Sequence, residues 1–359
     1  MLFRSLPPAP HDIEVSLTGF KTSVRQGVVL TVGSSLSLDM TMSVGNVAEQ
    51  VMVTSEVPLV ETSTATVAGV VEERVIKELP LNGRSFADLV QLEPGVVRTR
   101  AANKAALSGT GEKVSIGGTR PHQMSFLLDG ADMMSRNNTN PAGAAGQFLG
   151  VDSIQEFRVS SSGFSAEFGR NSGGVVSAVT KSGTNRFHGT VFEFLRNDNL
   201  DARDFFDRKT TANPKGEPEF KRNQFGGAVG GPIIRDRTFF FANYEGRRDR
   251  RGNTTVDNVP TAAARLGNLS TGPVTVAASV LPYLALYPLP NGEILPGGNV
   301  GRYYWAGSTN TDQDDVVARI DHQLSDNQTL MFRMYFDDGG VTTPTGLGLI
   351  PQFNRSEEH

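Results

Sequence analysis

The chain has 359 residues, with 34 Lys and Arg set against 38 Asp and Glu, a formal charge of −4 and no cysteine. This composition excludes disulfide frameworks, thiolate catalysis, Cys-ligated zinc and iron–sulfur clusters. The slightly acidic balance argues against a dedicated nucleic-acid binder.

Met1-Leu2-Phe3-Arg4 runs directly into Pro7-Pro8-Ala9-Pro10 without an apolar core or a small-residue cleavage site, and so is not read as a secretory signal. Residues 12–54 read as short strands. The run 28–33 is followed by 36–42, where Leu36, Leu38, Met40 and Met42 alternate with Ser37, Asp39 and Thr41, the period of a half-buried strand. Residues 51–54 make another extended piece. So few strand residues bury too little for a core of their own, so this region is expected to be the tail of a small β-sandwich.

Residues 57–182 change character. Arg74-Val75-Ile76-Lys77-Glu78-Leu79 reads as a short helix stopped by Pro80. Ser85, with Asp88 three residues on, opens a second amphipathic helix through Phe86, Leu89, Val90 and Leu92. Strands are expected at 114–116, 126–128, 157–159 and 175–179, separated by Gly or Asp-Gly. The most apolar stretch of the chain, 274–289, is cut by Pro282 and Pro288 and is shorter than the ~20 residues of a spanning helix.

In residues 183–359 alternation carries the reading. Val316, Ala318 and Ile320 face one way and Asp315, Arg319, Asp321 and Gln323 the other, with Val317 breaking the polar side. Leu330, Phe332, Met334 and Phe336 oppose Thr329, Arg333, Tyr335 and Asp337 across a short turn at Ser325-Asp326-Asn327. Residues 225–231 and 238–244 form a similar pair, after a first strand at 189–196. The connections run long, short, long, short: 196–220, 231–238, 246–311 and 324–328. Outer-membrane barrels show this asymmetry, with tight periplasmic turns and extended outer loops. Phe239, Phe240, Phe241 and Tyr244, with Tyr303, Tyr304 and Trp305, suit an interfacial girdle; ordinary core packing accounts for them nearly as well.

The search for catalytic groups is negative. His11, His122, His188, His322 and His359 have no metal-type spacing, Gly109-Thr110-Gly111 lacks the third glycine of a dinucleotide fingerprint, and no nucleophile elbow surrounds any serine. Asp312-Gln313-Asp314-Asp315 lacks the glycine and distal glutamate of a calcium loop. Asp204 with Asp207, and Glu217 with Glu219, read as surface loop carboxylates. Neither an enzyme, a metal nor a cofactor is expected.

A series of strings between Pro80 and Gly183 carries a resemblance. Pro80-Leu81-Asn82-Gly83-Arg84-Ser85-Phe86 precedes Glu93-Pro94-Gly95-Val96 and Val114-Ser115-Ile116-Gly117-Gly118-Thr119-Arg120. Phe126-Leu127-Leu128-Asp129-Gly130, Ile154-Gln155-Glu156-Phe157-Arg158-Val159, Glu167-Phe168-Gly169-Arg170 and Gly173-Gly174-Val175-Val176 follow. In this order they resemble the plug domain of TonB-dependent outer-membrane receptors. Val229-Gly230-Gly231-Pro232-Ile233-Ile234-Arg235-Asp236-Arg237 looks like the first barrel hairpin of the Oar-like branch, in which a carboxypeptidase-regulatory-like (starch-binding-like) sandwich precedes the plug.

The resemblance implies a mainly β chain with a small α/β plug. Residues 1–54 would be the partial β-sandwich, 55–182 the plug, and 183–359 the first five or so antiparallel strands of a truncated barrel that has about 22 in this family. The expected location is the outer membrane, against its lipid, with the plug and N-terminal domain reached from the periplasm. Glu49, Gln50, Val51, Met52, Val53 and Thr54 lie where such receptors keep an extended segment that pairs with the TonB-type energising protein by strand addition; the same residues also read as the last sandwich strand. Arg120, Asp129, Glu156 and Arg158 fall in motifs whose charged groups hold plug against barrel wall, with local turn hydrogen bonding the competing reading for Asp129. The implied activity is import of an extracellular siderophore, oligosaccharide or peptide, met at loops 137–147 and 246–311. The competing reading is an adhesion or surface-assembly protein on the same scaffold, and a secreted carbohydrate-binding sandwich is a more distant third.

Overall fold

The computed structural model describes residues 6, 8–45, 50–52, 66–79, 81, 84, 89–99, 113–134, 149–169, 171–202, 219–325, 328–345 and 350–358. They fall into two units, residues 1–142 with 146–183, and residues 184–359 with 143–145.

The first unit begins with a three-stranded sheet. β1 (Ala9–Val15) pairs antiparallel with β2 (Thr22–Leu30), and β3 (Gln50–Met52) pairs parallel with β2 at Thr22–Val24. The strand expected at 36–42 has no ladder partner. Its alternation survives as alternating exposure: Leu36, Leu38, Met40 and Met42 are half-buried while Ser37, Asp39 and Thr41 are exposed. Period two reports an extended chain lying on a surface, and a strand also needs a neighbouring edge.

The elements that follow are β4 (Val67–Glu72), α1 (Glu73–Glu78), β5 (Val96–Thr99), β6 (Lys113–Ile116), β7 (Ser125–Leu128), β8 (Ala131–Asp132), β9 (Ile154–Ser162) and β10 (Val175–Thr180), and five of these strands form one sheet. Its order is β4-β9-β10-β7-β8, with β10 and β7 parallel and the other pairs antiparallel; β5 and β6 pair apart from it. The core is apolar: Phe157, Ile154, Val176, Leu128, Met124 and Ile116 are fully or almost fully buried. α1 buries Ile76 against this sheet side and ends at Leu79, whose N–H donates to the Val75 carbonyl before Pro80 halts the ladder. Of the second expected helix, Leu89 and Val90 are helical and buried, while 85–88 lie outside the described residues.

The second unit is dominated by a six-stranded antiparallel sheet. In chain order its elements are β11 (His188–Asn197), β12 (Phe220–Ile234), β13 (Thr238–Pro260), α2 (Ala262–Arg265), β14 (Asn268–Leu269), β15 (Gly272–Pro273), α3 (Leu281–Ala285), β16 (Val300–Ser325), β17 (Gln328–Thr345) and β18 (Ile350–Glu358). The sheet order is β11-β12-β13-β16-β17-β18, and β14 pairs with β15 inside a loop.

Three expectations change. The described sheet has six strands where about five were expected, because β18 follows β17. The long loop placed at 246–311 contracts to 261–299, since β13 and β16 stay paired from Thr238↔His322 out to Pro260↔Val300. Their outer halves carry Arg, Asp, Asn and Thr on both faces, so alternation disappears from the sequence while the ladder continues. Consequently Tyr303, Tyr304 and Trp305 lie at the far end of β16 and do not share a girdle with Phe240 and Tyr244. The short connection between β12 and β13 is as expected: Asp236 takes a left-handed φ of 59° there, and Asn185 both accepts from its N–H (2.8 Å) and donates to its carboxylate (2.6 Å).

Candidate functional site

The six-stranded sheet has two unlike faces. On one, Val191, Val229, Tyr244, Ile320, Leu330, Phe332 and Met334 are exposed, with Phe332 at 61%. On the other, Gln224, Asn243, Glu245, Asp249, Gln313, Asp315 and Asp337 are buried, with Asp337 at 1%. Val317, the residue that broke the polar pattern, is buried among the polar ones, and so is Phe241. Of the aromatics clustered at 239–244, alternation therefore sends Phe240 and Tyr244 to the apolar face and Phe241 to the opposite one. Leu330 to Phe336 on β17 covers about 20 Å of strand, of the order of the apolar band of an outer-membrane barrel.

Register assembles the buried polar groups into rows. Glu245 pairs across strands with Asp315, and Asp315 with Asp337, which places three carboxylates side by side. Gln224 donates to Glu245 (2.5 Å), Gln313 to Asp337 (3.1 Å), and the Tyr335 hydroxyl to Asp315 (3.3 Å). Donors of this kind are what allow buried carboxylates to persist. Nearer the long-loop end Arg222 and Arg247 both grip Asp249, at 2.9 and 2.6 Å, and the guanidiniums of Arg196 and Arg222 sit 5.0 and 5.2 Å from the Phe220 ring. On the opposite face Arg248 holds Asp314 through two bonds of 2.9 Å, Arg250 meets Asp312 at 2.8 Å, and the Tyr244 hydroxyl donates to Asp314. An aromatic ring with its polar tip at the rim of an apolar band is the arrangement of a membrane interface. Asp312 and Asp314 thus lie in a paired strand; among the described residues no cluster of His, Asp and Glu is placed to hold a metal.

The first unit carries its own charged group. Asp152, almost fully buried, is bonded by Arg84 and lies 4.0 Å from Lys181, which also reaches Glu73 at 3.4 Å. This ties α1 to the last residues before the second unit. Of the residues singled out from sequence, Asp129 sits in a left-handed turn (φ 48°) and accepts from the N–H and hydroxyl of Thr180 at 2.9 and 2.8 Å. Glu156 and Arg158 are buried on β9, and Glu156 accepts from the Val32 N–H just beyond β2. Burial raises the Glu156 pKa above its ordinary 4.5; the Val32 hydrogen bond opposes this and the nearby Glu72 charge adds to it. Arg120 is exposed at the start of a 3-10 turn. Gln50, Val51 and Met52 form β3 at the edge of its sheet, while Glu49, Val53 and Thr54 lie outside the described residues, as do 137–147, 204, 207 and 217. Glu219, by contrast, is described and meets Lys221 at 2.8 Å.

Sequence reading missed the carboxylate row and the Arg84–Asp152–Lys181–Glu73 group. Two of its three members were within reach: β16 and β17 follow one another closely in the chain, and their pairing sets Asp315 opposite Asp337. Glu245 needed the register across a 39-residue loop, 261–299, which no local signal supplies.

Comparison with known proteins bears on both units. Residues 179–359 match the family model described as an outer membrane beta barrel domain, and residues 60–176 match the TonB-dependent receptor plug domain. The TonB-dependent transporter Oar of Myxococcus xanthus is 26% identical over 249 residues, covering 67% of this chain and 22% of that protein. A probable TonB-dependent siderophore receptor, PirA of Acinetobacter baumannii, is 26% identical over 221 residues, covering 55% of this chain and 27% of its own length. The solved outer-membrane transporter YddB of Escherichia coli superposes with a TM-score of 0.50 at 17% identity, over 81% of this chain and 36% of that one, a likeness of fold. The chain spans about a quarter of the length of these two curated relatives.

Proposed function

The chain belongs to the TonB-dependent receptors of the outer membrane, and on that premise we propose that it binds an extracellular ligand and takes part in its energised import. The observation that carries the proposal is the inverted sheet, apolar where exposed and polar where buried. Such a wall suits lipid on one side and a hydrated interior on the other. Members of this family are receptors and transporters rather than enzymes, and the barrel and plug place the chain in the outer membrane with the plug on the periplasmic side.

Within this proposal residues 49–54 meet the TonB-type protein. β3 already lies at a sheet edge, with one side paired to β2, so strand addition has an edge to use. Force applied there reaches the plug through the Val32–Glu156 bond and through β4 and α1, whose Glu73 is tied to Lys181. Arg120, exposed, together with Asp129, Glu156 and Arg158, is assigned to holding the plug in place. Residues 1–54 are assigned to the sandwich that precedes it. The ligand belongs to the siderophore, oligosaccharide or peptide classes.

The test is uptake in cells that make the whole protein. Radiolabelled members of the three ligand classes are supplied to the parent strain, to a strain lacking residues 49–54, and to protonophore-treated cells. Accumulation of one class in the parent alone, with surface binding preserved in the deletion, supports energised import. Accumulation that ignores both treatments overturns it, and cell attachment that persists without energy favours the adhesion reading.

A further inference from the structure

The two faces of the five-stranded sheet in the first unit are unlike. On one, Val71, Phe157, Val159, Val176, Ala178 and Leu128 are apolar and at most 5% exposed. The other carries Glu156, Arg158 and Ser160 of β9, flanked by Glu72 and Val70 of β4 and by Val179 and Ser177 of β10. There Glu156, Arg158 and Ser160 are buried, Val70, Ser177 and Val179 are half-buried, and Glu72 is exposed.

Part of the N-terminal sheet sits on this polar strip. β2 runs into a tight turn, Thr31 to Ser34, closed by the Ser34 hydroxyl, which donates to the Thr31 carbonyl (2.7 Å) and accepts from its N–H (3.2 Å). Gly33 takes a left-handed φ of 63° in the turn. The Val32 N–H donates to the Glu156 carboxylate. Gly33 lies against Arg158, whose Cδ would be 3.5 Å from a Cβ placed there. Beside them the Gln155 amide donates to the Pro8 carbonyl (3.4 Å).

A permanent cover favours an apolar surface beneath it, since a charge shut away from water is costly. The opposite face of the same sheet follows that rule. Surfaces of domains that move relative to one another stay more polar. Glu156 and Arg158 are therefore residues suited to a face that meets water part of the time. The seat is also small, one backbone N–H and one glycine, and can be left without disturbing the apolar core.

We propose that the N-terminal sheet is a reversible cover on the plug, seated by turn 31–34 on Glu156 and Arg158, and that it lifts while the plug stays folded. The proposal goes beyond import: Glu156 and Arg158, assigned above to holding the plug, here hold a second module to it. β3 belongs to that module, so a strand added at its edge acts on the cover.

The chain has no cysteine, so single introduced cysteines report opening through their rate of maleimide labelling, measured on the full chain in lipid nanodiscs. Val32→Cys lies at the seat, Ala178→Cys in the apolar core of the plug, and Glu14→Cys on the exposed side of β1. Position 32 is expected to label at least about tenfold slower than 14 and about a hundredfold faster than 178, because local opening costs less than global unfolding. Glu156→Ala removes the acceptor, and Gly33→Val puts a β-branched residue at a left-handed φ. Each is expected to speed labelling at 32 about tenfold and to leave 178 unchanged. Glu156→Gln keeps an acceptor and is expected to leave position 32 at the parent rate.

Equal rates at 32 and 178 mean that the cover leaves only when the plug unfolds, and overturn the proposal. A parent rate at 32 as fast as at 14, or one that ignores both Glu156→Ala and Gly33→Val, overturns it as well. Labelling needs neither ligand nor energy. Its failure therefore leaves the import proposal standing, and a lack of uptake leaves the cover standing.

Discussion

The five-stranded sheet of the first unit and the six-stranded sheet of the second are built from similar residues arranged in opposite senses. In the first, Phe157, Ile154 and Val176 are inside. In the second, Asp315, Asp337 and Glu245 are inside, while Phe332, Met334 and Ile320 are out. A sheet in water gains by hiding its apolar side. A sheet in a bilayer meets a solvent as apolar as its own side chains, so its buried face is left for polar groups that find one another. The contrast teaches that exposure of a phenylalanine has no fixed sign until the solvent is named.

Truncation at the apolar core should break the contrast most sharply. Phe157→Ala is expected to cost the first unit about 3–5 kcal/mol, transfer and cavity terms together, read as a lowered urea midpoint of that unit. Were Phe157→Ala to cost no more than Phe332→Ala in lipid, the two sheets would not differ as described. Next in size, Phe332→Arg is expected to cost about 2–4 kcal/mol in a bilayer, where a guanidinium near the midplane has no water. Unfolding from lipid vesicles measures this, and an Arg tolerated there without loss would place the face in water.

The smallest effect sharpens the comparison from the side of charge. Glu156 is a carboxylate in the apolar unit, with its folded pKa raised above 4.5 chiefly by burial. The folded state therefore holds the proton more tightly than the unfolded one, and stability falls as pH rises through the window above 4.5. Glu156→Gln keeps an acceptor for the Val32 N–H and removes the buried charge. It is expected to raise the melting temperature at pH 7 and to match the parent at pH 4. A variant equally shifted at both values would trace the effect to packing.

Much of this was legible in the chain. Runs 314–323 and 329–338 fixed both faces of β16 and β17, because one side had to be uniformly greasy and the other wet. Strand length was not legible: beyond the apolar band neither face is selected for hydropathy, and Arg247, Arg248, Asp249 and Arg250 read as loop while they are paired in β13. At 36–42 the error ran the other way, since extended backbone was visible but the absence of a neighbour was not. Motifs brought Asp129 and Glu156 to attention, yet their partners Thr180 and Val32 lie 51 and 124 residues away.

By itself the order of residues determined which side of β16 and β17 is apolar and which is polar within 314–323 and 329–338, because period two is a property of the extended chain and needs no partner. Tertiary structure alone decided which side chains lie abreast. The carboxylates of Glu245, Asp315 and Asp337 become one row only when long-range register brings distant segments together. Register across a long loop is set by the summed fit of two whole strands, and no short stretch of sequence contains it.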